Sequence, residues 1–182
     1  EIDEDATILP YLSGYQTTLD YAVRKTYWPN IDLIPACLAL YEAELSIVMH
    51  LATQTDVEKR VQFFMELKYG LQTVAENYDV ILLDSPPALG MISINVLMAA
   101  DALLVPSAAR MFDFSSTVQF FRMVHNYIGK IDPNKQYRWI SVLTTLFDQR
   151  YESQKQFVEV MRTCFGDSMS QRVFFHSAEV IN

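Results

Sequence analysis

Apolar residues along this chain recur first at helical spacing and later in short unbroken runs. The acidic opening Glu1-Ile2-Asp3-Glu4-Asp5 leads into a predicted short helix over 6–13, stopped by Gly14. Thr17 or Thr18 then caps a second helix through Leu19, Tyr21, Ala22 and Val23. The turn signal Tyr27-Trp28-Pro29-Asn30 precedes a short strand, Ile31-Asp32-Leu33-Ile34, which Pro35 ends. Residues 38–51 are apolar with helical spacing, and Thr55-Asp56 opens a longer helix. There Phe63, Phe64, Leu67, Leu71 and Val74 mark one buried stripe.

From Tyr78 onward the pattern changes. Val80-Ile81-Leu82-Leu83 is a continuous apolar run, as expected of a strand covered on both faces. Pro86-Pro87 and Gly90 break it, and 92–100 reads as a helix. A second strand over 102–105 ends at Pro106. Asp113 or Ser115 caps a helix carrying Val118, Phe121, Val124 and Ile128, closed near Gly129. A third strand covers 139–143. Phe157, Val160, Met161 and Phe165 mark a helix stopped by Gly166, and Val173-Phe174-Phe175 is a candidate fourth strand. Strands alternating with helices predict an α/β fold: three layers, with a mostly parallel sheet and helices on both faces. With no repeat, low-complexity tract or linker, the expectation is a single domain over 1–182.

Composition narrows the function classes. At 51% hydrophobic and 20% charged, the 182 residues can bury a sizeable core. The net charge of −8 excludes a surface that grips nucleic acid everywhere and leaves room only for a local basic patch. No apolar run nears the ~18 residues of a membrane span, and no signal segment opens the chain. Cys37 and Cys164 fit no metal or redox spacing, so a reducing cytosol is the default compartment. His50, His125 and His176 are isolated, and Ser107, Ser115 and Ser116 lack the histidine and acid of a hydrolase triad. The chain opens on Glu1 rather than Met. It closes on Ser177-Ala178-Glu179-Val180-Ile181-Asn182, which reads as a helix cap with its first turn, so the expectation is the interior of a longer protein.

Open parallel sheets bind ligands at the carboxyl ends of their strands. Three such ends are polar here: Asp84-Ser85-Pro86-Pro87, Ser107-Ala108-Ala109-Arg110, and Thr144 through Arg150. Asp84 stands out, because a carboxylate directly after four apolar strand residues is held rigidly and can orient a metal-bound water. A loop or helix-cap aspartate fits the same pattern, although the two prolines stiffen the exit from the strand.

These residues resemble a known family. Tyr78-Asp79-Val80-Ile81-Leu82-Leu83-Asp84-Ser85-Pro86-Pro87-Ala88-Leu89-Gly90 is similar to the Walker B segment of ParA-type partition ATPases, in the ParA/MinD group of P-loop NTPase-like proteins. Four further stretches agree in order. They are Ile31-Asp32-Leu33-Ile34-Pro35-Ala36, Asp101-Ala102-Leu103-Leu104-Val105-Pro106, Phe112-Asp113-Phe114-Ser115-Ser116, and Thr144-Thr145-Leu146-Phe147-Asp148-Gln149-Arg150. Phe165-Gly166-Asp167 and Ser177-Ala178-Glu179 match later landmarks. The family's Gly-rich phosphate loop with its lysines does not occur among these residues. The fold is therefore expected to be incomplete, with the phosphate loop upstream of residue 1.

The resemblance implies ATP and Mg²⁺ as cofactors, with Asp84 orienting a water of the Mg²⁺ shell. Pro86 and Pro87 would form part of a nucleotide-sensing loop, Thr145 would lie near the adenine, and Asp148 would fix that loop. Arg150 corresponds to a residue that in some relatives aids nonspecific DNA binding, while a plain solvated arginine is the ordinary alternative. For the intact protein the resemblance implies ATP hydrolysis, an ATP-dependent homodimer, a ParB-like centromere-binding partner, no membrane partner, and a cytoplasmic, nucleoid-associated location. A chain lacking the phosphate loop is expected to be inactive by itself. Two other readings stay open: another ParA/MinD-group positioning ATPase, and a degenerate, non-catalytic interaction module.

Overall fold

The computed structural model describes residues 3–86 and 89–176. Pro87 and the stretch Ser177-Ala178-Glu179 lie outside the described residues. Contacts divide the chain into two compact units, Glu1–Ala100 and Asp101–Asn182.

In the first unit, α1 (Leu9–Leu12) is a single turn with Pro10 near its start, and Gly14 follows it at φ 78°, the left-handed region that glycine enters freely. The predicted second helix is only a 3-10 turn, Asp20–Ala22. Val23 turns extended at φ −67°, ψ 126° and feeds β1 (Arg24–Lys25), which pairs antiparallel with β2 (Asp32–Leu33). Asn30, at φ 65°, makes the reversal between them. After α2 (Ala39–Thr53), the single long helix expected from the apolar stripe is two: α3 (Val57–Phe64) and α4 (Glu66–Gln72). Asp56 caps α3 as read, its Oδ1 accepting from Glu58 N–H at 2.9 Å. The break falls at Met65 (φ −102°, ψ −1°). A new helix start needs acceptors for its first amides, and Leu67 N–H finds one in the buried side chain of Asn95, 3.1 Å away in α5 (Met91–Ala99). The core of this unit gathers Tyr11, Leu19 and Val74, with Ile8, Ile34 and Leu71 around them.

The run Val80-Ile81-Leu82-Leu83, predicted as a doubly covered strand, is a correction. It forms no strand ladder among the described residues, and Leu82 is 90% exposed. An apolar run becomes a strand only when neighbours take up its amides and carbonyls.

The second unit carries the expected parallel sheet. β3 (Leu103–Ala108), α6 (Met111–Ile131), β4 (Ile140–Phe147), α7 (Glu152–Phe165) and β5 (Met169–Phe175) alternate, and the strand order β3-β4-β5 is parallel throughout. β3 continues past Pro106, which is tolerated because β3 is an edge strand of this sheet. α6 begins at Met111, ahead of both predicted caps, and Asp113 lies in its first turn, where a negative charge suits the helix dipole. Gly166, at φ 53°, ends α7 as read. Val142, Val158, Met161 and Met169 form the core, with Phe114, Phe121, Phe157 and Phe165 packed on it. Phe114 meets Phe157 edge-on, at 5.7 Å between ring centres and 89° between planes. The α/β class with a parallel sheet is as the alternation predicted.

Candidate functional site

The C-terminal end of β4 bends where chemistry was expected. Thr144 and Thr145, being neighbours in a strand, point to opposite faces. Thr144 is fully buried in register with Ser107, and Ser107 Oγ lies 2.9 Å from Thr117 Oγ1 of α6. The Thr144 hydroxyl has no hydrogen-bond partner among the described residues, which is costly for a buried polar atom. Thr145, opposite Ala108, is half-buried on the other face. Leu146 then adopts φ 51°, a left-handed conformation unusual for leucine, and the pairing of β4 with β5 slips between Thr144 and Phe147. Nothing in the sequence signals this bulge, since a turn-prone Gly or Asn would be the usual marker.

Beyond the bulge, Asp148 organises a tight turn. Tyr151 N–H donates to Asp148 C=O at 3.1 Å, and Asp148 N–H donates to Gln154 Oε1 at 2.9 Å. The Asp148 carboxylate accepts from Arg150 N–H at 3.0 Å, from Arg150 Nε at 2.9 Å and from Arg150 Nη2 at 2.6 Å. This forked contact is the strong geometry for an arginine–carboxylate pair. Arg150 holds the Asp148 carboxyl down to about 2, well below the usual carboxylate range. Arg150 stays exposed, but its charge is matched by Asp148 rather than open to solvent alone.

The connections that follow β3 and β4 enclose a cleft of about 360 Å³, lined by Ala109, Arg110, Met111, Tyr151, Gln154 and Phe157. The residues that start α6 and α7, Arg110 and Tyr151, make no side-chain capping bond. Neither helix start is therefore capped by its own preceding side chain, although Gln154 N–H donates to Tyr151 C=O at 3.1 Å.

In the first unit, Asp84 is exposed, and no hydrogen bond or ion pair engages it among the described residues. The Pro86 carbonyl accepts from Ser93 Oγ at 3.4 Å. Gly90 starts α5 without a capping side chain, and Glu44 of α2 supplies the acceptor, its Oε1 lying 3.1 Å from Ile92 N. The structure therefore draws Asp148 and Arg150 into one turn just after Thr145, while Asp84 and Pro86 belong to a separate unit. Among the described residues, no group of three or more His, Cys, Asp or Glu side chains could hold a metal ion. No described helix is long and apolar enough to cross a membrane.

Residues 2–136 match the family described as AAA domain. The chain is 33% identical over 180 residues to protein SopA of Escherichia coli strain K12, covering 98% of this chain and 46% of SopA. It is 28% identical over 176 residues to the chromosome partitioning protein ParA of Caulobacter vibrioides, covering 96% of this chain and 61% of that protein. The chain belongs to the AAA domain family, and within it to the ParA-type partition proteins. This ParA-type chain spans about half the length of the relatives it matches. Its fold is also that of cobyrinic acid a,c-diamide synthase from Mycobacterium smegmatis, solved with bound ADP and magnesium. The TM-score is 0.76 at 21% identity, over 94% of this chain and 64% of the synthase. A synthase and partition proteins thus share one architecture, and at that identity the likeness speaks for the fold alone.

Proposed function

We propose that the intact protein is a ParA-like partition ATPase that binds ATP with Mg²⁺, pairs with a second copy, associates with DNA and segregates plasmid or chromosomal DNA. A ParB-like centromere-binding protein would be its partner and the cytoplasm, at the nucleoid, its location. The observation that carries this reading is sequence kinship with SopA and ParA over nearly the whole chain. The fold alone would not carry it, because enzymes of other activities share it.

Asp84 is the one described residue that this reading assigns to the metal. Asp84 follows an apolar run, and its carboxylate is uncommitted among the described residues, so it can accept from a metal-bound water. Mg²⁺, when bound, offsets charge on the phosphate oxygens. Pro86 follows Asp84 and, with Pro87, is assigned by this reading to the nucleotide-sensing loop. Thr145 borders the purine side, and Asp148 holds the turn after it through Arg150, Gln154 and Tyr151. Arg150 is the residue proposed to meet DNA phosphates, through the guanidinium N–H groups that its contact with Asp148 leaves free. No Gly-rich phosphate loop occurs among these residues, so hydrolysis is a property proposed for the intact protein.

The test is ATP turnover by the intact protein carrying Asp84→Ala. Turnover should fall at least about a hundredfold, with an unchanged circular dichroism spectrum, because the side chain is exposed. Unaltered turnover sinks the assignment of Asp84. An intact parent that neither binds nor hydrolyses ATP sinks the ATPase reading in favour of a non-catalytic interaction module.

A further inference from the structure

Helix α5 starts where its own sequence offers no cap. Gly90 holds the N-cap position without a side chain, and Met91 and Ile92 after it bring no acceptor. The oxygen that Ile92 N–H needs comes from Glu44, half-buried on α2 and 48 residues earlier in sequence. A carboxylate suits the positive end of a helix. Gly90 is a second, independent sign that the chain is built for this contact. Its backbone (φ −96°, ψ −167°) is extended, which any residue adopts, so no turn demands glycine there. Room demands it. A Cβ at position 90 would collide with Glu44 Oε1, and the three atoms nearest to it would all belong to the Glu44 carboxyl group.

The first turn of α5 also ties down the chain that follows Asp84. Buried Ser93 donates from its Oγ to the Pro86 carbonyl at 3.4 Å, two residues past Asp84. Asp84 itself makes no hydrogen bond or ion pair among the described residues, so its place depends on where the backbone around it is held. The rest of α5 has an anchor of its own, because Asn95 takes the amide of Leu67. Losing Glu44 would therefore loosen the first turn and leave the helix. We propose that Glu44 is a positioning residue for the nucleotide site: through Ile92 and Ser93 it fixes the Pro86 backbone, and so the stance of the Asp84 carboxylate. This rests on the reading of Asp84 as the residue that orients a Mg²⁺-bound water. It gives α2, which carries none of the residues assigned to nucleotide, metal or DNA, a task at that site.

Two measurements on the intact protein test this. The first needs no nucleotide and follows amide hydrogen exchange at Ile92. Glu44→Ala should speed that exchange about fivefold to tenfold, and Glu44→Gln, which keeps the oxygen, less than about twofold. Gly90→Ala should also speed it by pushing Glu44 aside, and should have a smaller effect once Glu44→Ala has removed the carboxyl group. The second measurement is ATP turnover. Glu44→Ala should lower kcat about tenfold and raise the Mg²⁺ concentration for half-maximal turnover at least about threefold. Glu44→Gln should keep both within about threefold of the parent. A cap that served stability alone would leave the Mg²⁺ dependence where it was. Unchanged exchange at Ile92 overturns the inference. So does a Glu44→Ala variant with the parent's turnover and Mg²⁺ dependence, in a protein whose Asp84→Ala variant has lost turnover. A parent without turnover, or an Asp84→Ala variant as active as the parent, brings down the reading of Asp84 itself and takes this inference with it.

Discussion

Leu146 offers a sharp test of backbone strain at the candidate site. Its φ of 51° places it in the left-handed region, where a residue with a Cβ pays about 1–2 kcal/mol. Glycine escapes that cost but loses about 0.5–1 kcal/mol of chain entropy on folding. At an ordinary strand position alanine is therefore the more stable of the two, whereas at 146 the order should invert, with Leu146→Gly more stable than Leu146→Ala by about 0.5–1 kcal/mol. Against the parent, Leu146→Ala should cost about 1 kcal/mol, because a side chain that is 48% exposed surrenders only about half of its burial energy. Leu146→Gly should then lie close to the parent. The assay is urea unfolding followed by Trp139 fluorescence, with Trp28 replaced by phenylalanine so that the signal reports the unit holding β4. Finding alanine more stable than glycine at this position would refute the strain and, with it, the bulge as a built feature of the loop between Thr145 and Asp148.

Two further outcomes are expected. The Asp148 carboxyl titrates at about 2 in the folded chain, below its ordinary value near 4. A depressed carboxyl contributes stability that is complete above its unfolded value and vanishes as pH falls through the folded one. Acid unfolding should therefore show a component between about pH 4 and about pH 2 that Asp148→Asn removes, and a parent and variant with identical acid profiles would contradict the Arg150 contact. Separately, Glu44→Ala deprives Ile92 N of its acceptor at the start of α5 and should cost about 1 kcal/mol in thermal or urea unfolding, while Glu44→Gln, which keeps an oxygen there, should cost less.

What could be read in advance followed the range of the forces involved. The β3-α6-β4-α7-β5 alternation was legible because buried parallel strands are short apolar runs and amphipathic helices carry their own period, both local properties. Asp56 and Gly166 were legible as helix ends for the same reason. The split between α3 and α4 was not, because Asn95, which takes the amide of Leu67, lies 28 residues away in sequence. Val80-Ile81-Leu82-Leu83 has the composition of a strand, but a ladder depends on neighbours that composition does not contain. At the site, the residue types Asp84, Thr145, Asp148 and Arg150 were visible as chemistry. The forked Asp148–Arg150 contact and the left-handed Leu146 were not, since both come from three-dimensional geometry rather than from residue preference.

The bond from Leu67 to Asn95 also orders events in time. On its own, the stretch from Asp56 to Val74 holds a continuous helical stripe and nothing local that requires a stop at Met65. The break becomes favourable only once α5 has formed and its Asn95 has arrived to receive the amide, a contact that must first close a loop of more than two dozen residues. Early in folding, this region would pass through one longer, straighter helix that bends late. A synthetic peptide of residues 56–74, only marginally helical in water, should accordingly show no interruption at Met65 once trifluoroethanol raises its helicity.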